Sequence, residues 1–213
     1  MKILSKSNSF KKLIHQDIIL KEFSVAFQQA IECIIECKNE MALKFKEEME
    51  NKKKEIDAYS KAVFVRDIKS SKETLLYLYI NYEIQITEKM TSVMEWILAR
   101  KSPINSDSIE TELFVLADSA AETIDRLTLL SKEIAALSKR FKGKKNKTKL
   151  NKIIDEIMEK SRKTINLSLR MKRKILETES SSASIIHLVF LADMIGQTAE
   201  KTRDTAWLAT ALS

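Results

Sequence analysis

Glycine and proline are almost missing from this chain: two glycines and one proline in 213 residues. Tight turns draw on these residue types, so a protein built from many short strands is excluded. Lys, Glu, Ile, Leu and Ala are plentiful instead, and they favour long helices. No uninterrupted apolar run approaches the roughly 20 residues that span a bilayer, and residues 1–10 are too polar for a signal peptide. The chain is therefore read as cytoplasmic. Cysteine is equally scarce. Cys33 and Cys37, four apart on one helix, cannot make a disulfide framework or a four-ligand zinc site, and are read as reduced packing residues.

Enzyme signatures are lacking too. His15 and His187 stand alone on different segments, no nucleophile elbow or phosphate-binding loop occurs, and the Glu-x-x-His pairs of di-iron bundles are absent. His187, inside an apolar stretch, reads as a packed side chain. The formal charge of +7 invites a polyanion, but 37 basic residues are interspersed with 30 acids instead of lining an aromatic-studded groove.

What the chain does have is helical periodicity between a few breakers: Asn39, Ser70-Ser71, Ser102-Pro103, Gly143 and Ser180 to Ser182. They define six helices, over residues 9–38, 40–69, 72–101, 107–141, 148–177 and 184–212. The first carries Ile14, Ile18, Phe23, Phe27, Ala30, Ile31 and Ile34 at helical spacing. The fourth has the cleanest stripe, Leu113, Leu116, Ala117, Ala120, Ile124, Leu127, Ile134 and Leu137. In the sixth, Ile185, Leu188, Ala192, Ile195, Ala199 and Ala206 form the inner face. The fold class expected is all-α, an elongated six-helix bundle.

Two segments echo each other. Residues 81–89 read N-Y-E-I-Q-I-T-E-K, and residues 193–201 read D-M-I-G-Q-T-A-E-K. Each places a polar residue, then a glutamine and a glutamate at i, i+4 and i+7 on one helix face. This predicts two three-helix repeats, 1–104 and 105–213, sharing one core.

The helix order, the Arg100-Lys-Ser-Pro103 punctuation, the stretch Leu116-Ala-Asp-Ser-Ala-Ala-Glu and the closing Leu191-Ala-Asp-Met-Ile-Gly-Gln-Thr-Ala-Glu together resemble the PhoU-like family of phosphate-transport regulators. The branch they resemble is that of accessory proteins to the Pit-type permease. That resemblance implies metal ions gathered by carboxylates of paired helices, here Asn81, Gln85 and Glu88 with Asp193, Gln197 and Glu200. An amide oxygen can ligate a hard cation but brings no charge, so these would be weak sites for a divalent or ferric metal, or none at all. The family's acid pair on the second helix is replaced by Lys53 and Asp57, and the matching stretch from Arg170 to Lys174 is basic. Asp118, Glu122 and Asp125 form a further acidic row on the fourth helix.

The resemblance implies a non-enzymatic regulator that contacts a phosphate permease or a phosphate-sensing protein at the inner face of the membrane. Lys142, Lys144, Lys145, Lys147 and Lys149 cluster where the fourth and fifth helices meet and are candidates for docking to a partner or to anionic headgroups. A homodimer is a further expectation. Two alternatives stand beside this reading: a basic helical protein associated with nucleic acid, disfavoured by the lack of a short recognition helix, and a metal-dependent bundle enzyme.

Overall fold

A computed structural model describes residues 4–64, 71–100, 103–104, 106–139 and 144–212. Within these residues the chain forms six helices and no strand: α1 (Leu4–Ile35), α2 (Asn39–Phe64), α3 (Ser71–Leu98), α4 (Asp107–Lys139), α5 (Lys144–Thr178) and α6 (Ser182–Leu212). The helices number six, as the breakers imply, with ends displaced by a few residues. Helix α5 begins at Lys144, four residues before its expected start, so most of the basic stretch after Gly143 is the first turns of a helix.

Four helices make an inner ring, because α1 packs on α4, α4 on α6, α6 on α3 and α3 on α1. Helix α2 lies outside against α1 and α3, and α5 lies outside against α4 and α6. Each helix turns one apolar stripe inward, and the buried side chains of all six form one contiguous cluster. The α4 stripe from Leu113 to Ile134 is buried as its spacing predicts; Leu137 lies outside the residues whose side chains are described. By mean hydropathy α6 is long and apolar enough to cross a membrane, yet Leu188, Leu191, Ala192, Ile195 and Ala199 are spent on the core.

The α1 stripe differs from the expectation at one position. Ile18 is 39% exposed. The buried register runs instead through Leu13, Gln16, Asp17, Leu20, Phe23, Ser24 and Phe27, so three polar residues occupy core positions. On α3 the inward register runs through Leu76, Tyr79, Ile80, Glu83, Ile86 and Met90, again with a carboxyl in the middle.

Small residues set the approach of the second-half helices. Ser168 on α5 donates to the Ala192 carbonyl on α6 at 2.7 Å. A Cβ added at Gly196 would meet Ser168 Oγ at 2.9 Å, so this glycine leaves the space that the Ser168 side chain fills. Ser119 and Thr164 exchange a hydroxyl hydrogen bond of 2.8 Å between α4 and α5.

Cys33 is buried and Cys37 is exposed, and both are free thiols. The expectation of two packing residues is therefore corrected for Cys37. It closes α1 with a φ of 59°, while Cys37 N donates to Ile34 O and Lys38 N to Cys33 O. This is the left-handed cap that glycine ordinarily supplies. Any Cβ there carries a penalty of about 1–2 kcal/mol, so Cys37→Gly is expected to raise unfolding free energy by about 0.5–1 kcal/mol. Urea denaturation checks this, and a destabilised variant would contradict the capping assignment.

Candidate functional site

The two polar rows that echo each other lie on α3 and α6, which are neighbours in the inner ring. Lysines reach them first. Lys172 on α5 sits 2.5 Å from Asp193 Oδ1, Gln197 Nε2 donates to Asp193 Oδ2 at 2.7 Å, and Lys89 on α3 donates to Gln197 Oε1 at 2.7 Å. The hydrogen bond from Lys172 is the main reason the Asp193 carboxyl titrates below its ordinary range. Asn81, Glu88 and Glu200 face solvent, and Gln85 is half-buried. As arranged, this set does not fit a metal ion, since two ammonium groups already hold the strongest ligand and its neighbour. No group of three or more His, Cys, Asp or Glu among the described residues is placed to hold a metal ion. The acidic row on α4 is likewise divided among separate partners: Asp118 accepts from Gln28, Glu122 from Lys160, and Asp125 pairs with Lys21 at 2.6 Å.

His187 is a clamp. Its Nε2 donates to the Trp96 carbonyl at 2.8 Å, Trp96 Nε1 returns a bond to the His187 carbonyl at 2.9 Å, and the rings stack 5.1 Å apart. Partial burial lowers the pKa of the imidazole below its usual value, which keeps it neutral in this reciprocal pairing of α3 with α6. Phe190 leans on Trp96 and is 55% exposed, and with exposed Ile186 one turn earlier it leaves an apolar strip on the outer side of α6. Just below, Arg100 donates to Ser184 Oγ and to the Pro103 carbonyl, and Ser184 donates to Glu179. The punctuation after the third helix is thus tied to the α5–α6 junction.

Helix α5 concentrates positive charge. Its sequence holds twelve Lys and Arg against four acids, so it carries +8 while the whole chain carries +7. On its inner edges Lys149, Lys160, Arg170 and Lys172 are paired with Glu133, Glu122, Glu112 and Asp193. On its outer side Lys152, Arg162, Lys163 and Arg173 are exposed and form no ion pair among the described residues. A shallow groove between α4 and α5 is lined by Arg126, Lys160, Arg162, Lys163 and Arg170 together with Glu156 and Glu159. Of the docking lysines read from sequence, Lys149 is exposed on this helix and pairs with Glu133 at 2.7 Å. Lys142 lies outside the described residues, and Lys144, Lys145 and Lys147 lie outside those whose side chains are described.

The residues that sequence reasoning missed are in the core of the first half. Asp17 on α1 and Glu83 on α3 are both fully buried, and their carboxyls bear directly on each other. Gln16 Nε2 donates to Glu83 Oε2 at 2.7 Å. Burial pushes Asp17 up to about 6, against the pull of the neighbouring Glu83 and Ser131 side chains and of the charge on Lys132. Burial, and then the Asp17 charge, pushes Glu83 well above the ordinary carboxyl range. Both carboxyls are therefore held above the ordinary range, and one proton shared between them relieves their repulsion. The signal was in the spacing: Gln16 and Asp17 fall three and four residues after Leu13, on the same face as Leu20, and Glu83 falls four after Tyr79.

The sign of the pH dependence follows. A carboxyl raised in the folded state stabilises the fold while protonated in both states, below about pH 4, and that contribution is lost as pH rises through about 6. For Asp17 the swing is on the order of 3 kcal/mol. Comparing denaturation of the parent chain with Asp17→Asn from about pH 4 to 7 is expected to show a steeper fall in the parent; parallel curves would contradict the pairing.

No protein-family model matches the chain, and no curated protein matches it. Solved structures do. It superposes on a crystal structure of a PhoU-like phosphate regulatory protein from Shewanella oneidensis with a TM-score of 0.83 at 14% identity, covering 96% of this chain and 98% of that one. A second PhoU-like protein structure from the same organism gives 0.82 at 14% identity with the same coverage. This all-helical chain has the PhoU-like fold from end to end.

Proposed function

We propose that this protein is a non-enzymatic regulator of phosphate homeostasis that works by contact with a partner at the inner face of the membrane. The observation that carries the reading is the match of the whole bundle, over nearly the full length of both chains, to a structure named as a phosphate regulatory protein. The partner proposed is a phosphate permease or a sensor of phosphate supply, and the role is that of an accessory protein in a permease complex. Binding shifts such a partner between states only through differential affinity. The surfaces suited to it are the outer face of α5, with Arg162, Lys163 and Arg173 free of ion pairs, and the apolar strip of Ile186 and Phe190. Lys149 is exposed on the same helix, and the sequence-read lysines Lys142, Lys144, Lys145 and Lys147 are proposed to add charge for anionic headgroups, where each basic residue near the surface is worth about 1 kcal/mol. The two halves, 1–104 and 105–213, are proposed to be copies of one three-helix unit, and pairing of two chains is proposed through the apolar strip.

The test is co-purification with the phosphate permease from membranes of the source cell. The parent chain is expected to be retained, and the triple variant Arg162→Glu, Lys163→Glu, Arg173→Glu to be retained at least tenfold less (about 1.4 kcal/mol), while its thermal melt stays close to the parent's. Absence of any association with phosphate-transport proteins would contradict the proposal. Retention of DNA in place of the permease, weakening steeply with salt, would favour the nucleic-acid alternative.

A further inference from the structure

Eight buried side-chain nitrogen or oxygen atoms among the described residues find no hydrogen-bond partner, and five of them belong to one cluster. They are Gln16 Oε1, both carboxylate oxygens of Asp17, Tyr79 Oη and Glu83 Oε1. All five are oxygens. The side chains come from two inner helices, α1 and α3, and all four residues are at most 2% exposed. Tyr79 lies one helical turn before Glu83 on the same buried face, and the charges of Asp17 and Glu83 act on its hydroxyl.

Leaving five acceptor-capable oxygens together in an apolar core is costly, because a buried polar atom without a partner loses its hydration and gains nothing. The proton shared by the two carboxyls bonds them to each other but leaves the Gln16 carbonyl and the Tyr79 hydroxyl without partners. From α4, the Ser131 hydroxyl donates to the Thr128 carbonyl, at 3.3 Å, and Lys132 acts only through its charge from an exposed position. Among the described residues no basic side chain is buried with the pair.

We propose that Gln16, Asp17, Tyr79 and Glu83 form a buried site for a hard divalent cation, with calcium or manganese as the ions it suits. The donor set is oxygen only, which hard cations take and soft ones do not. Two carboxylates match a double charge, and an amide carbonyl and a phenol supply neutral ligands. A dry interior disfavours magnesium, which gives up its water reluctantly. The ion takes the place of the shared proton, which leaves to solvent, and each carboxylate then faces a cation in place of another carboxylate. The site belongs to the first half alone: 112 residues beyond Glu83, the offset between the echoing segments, stands the fully buried Ile195. It is also separate from the surface rows of Asp193 and Glu88, and stands whether or not the protein acts on phosphate transport.

Thermal melts of the full chain, purified with chelator and then given millimolar calcium, manganese or magnesium at constant ionic strength, test it. Calcium or manganese is expected to raise the melting temperature by several degrees, and elemental analysis after dialysis to find one ion per chain. Asp17→Asn/Glu83→Gln is expected to lose the shift. Tyr79→Phe, which removes one oxygen and keeps the ring, is expected to weaken apparent affinity about tenfold and serves if the double variant does not fold. No shift with any ion, equal shifts with all three, or a shift unchanged in both variants would overturn the proposal.

Discussion

Asp17 and Glu83 cannot both be ionised where they stand, and the packing of the first-half core depends on how that is resolved. Two carboxylates removed from water in contact with each other would cost several kcal/mol, more than a bundle of this size can lose without unfolding. The fold closes over them because one proton is retained between them and the Gln16 amide supports Glu83. Around that point α1, α3 and α4 meet through otherwise apolar registers, Leu20 and Phe23 on one side, Ile80 and Ile86 on the other, Leu127 and Leu130 on the third. A buried polar pair in such surroundings fixes the rotation of each helix about its axis, since turning α1 by one residue would strand Asp17 among leucines.

The second half of the bundle solves the same packing problem with small residues. Gly196, Ser168 and Ala192 let α5 and α6 approach closely, and Ser119 with Thr164 joins α4 to α5 by hydroxyls. The division of labour extends to charge. All of the chain's net positive charge lies on α5, which is amphipathic: its inner edge spends cations on Glu112, Glu122, Glu133 and Asp193, and its outer edge leaves them free. The proposed regulator, acting by surface contact, would need a rigid frame carrying one distinctive face, and a basic outer helix on a packed ring of four would supply that arrangement.

Much of this architecture was legible in the residues. With so few glycines and prolines each breaker is informative, and the α4 stripe from Leu113 to Ile134 is buried where period 3.6 puts it. The α1 register was misread at Ile18 because a polar pair looks like a gap in an apolar stripe, when Gln16 and Asp17 are themselves the inward positions. Cys37 was misread because a left-handed cap is a backbone property that a cysteine does not announce. The echoing rows on α3 and α6 were visible as a pattern, but Lys89 and Lys172 come from elsewhere in the fold, and only tertiary placement shows that they occupy Gln197 and Asp193. Likewise the +7 of the whole chain hides that a single helix carries it.

The most direct test of the account is a carbon-13 carboxyl titration of Asp17 and Glu83 by nuclear magnetic resonance, on the folded chain in the presence of chelator. The structure predicts Asp17 titrating near 6 and Glu83 well above the ordinary carboxyl range, with the two curves coupled. Two independent titrations near 4, the ordinary carboxyl range, would show the pair to be solvated and apart, and would contradict the core described for the first half.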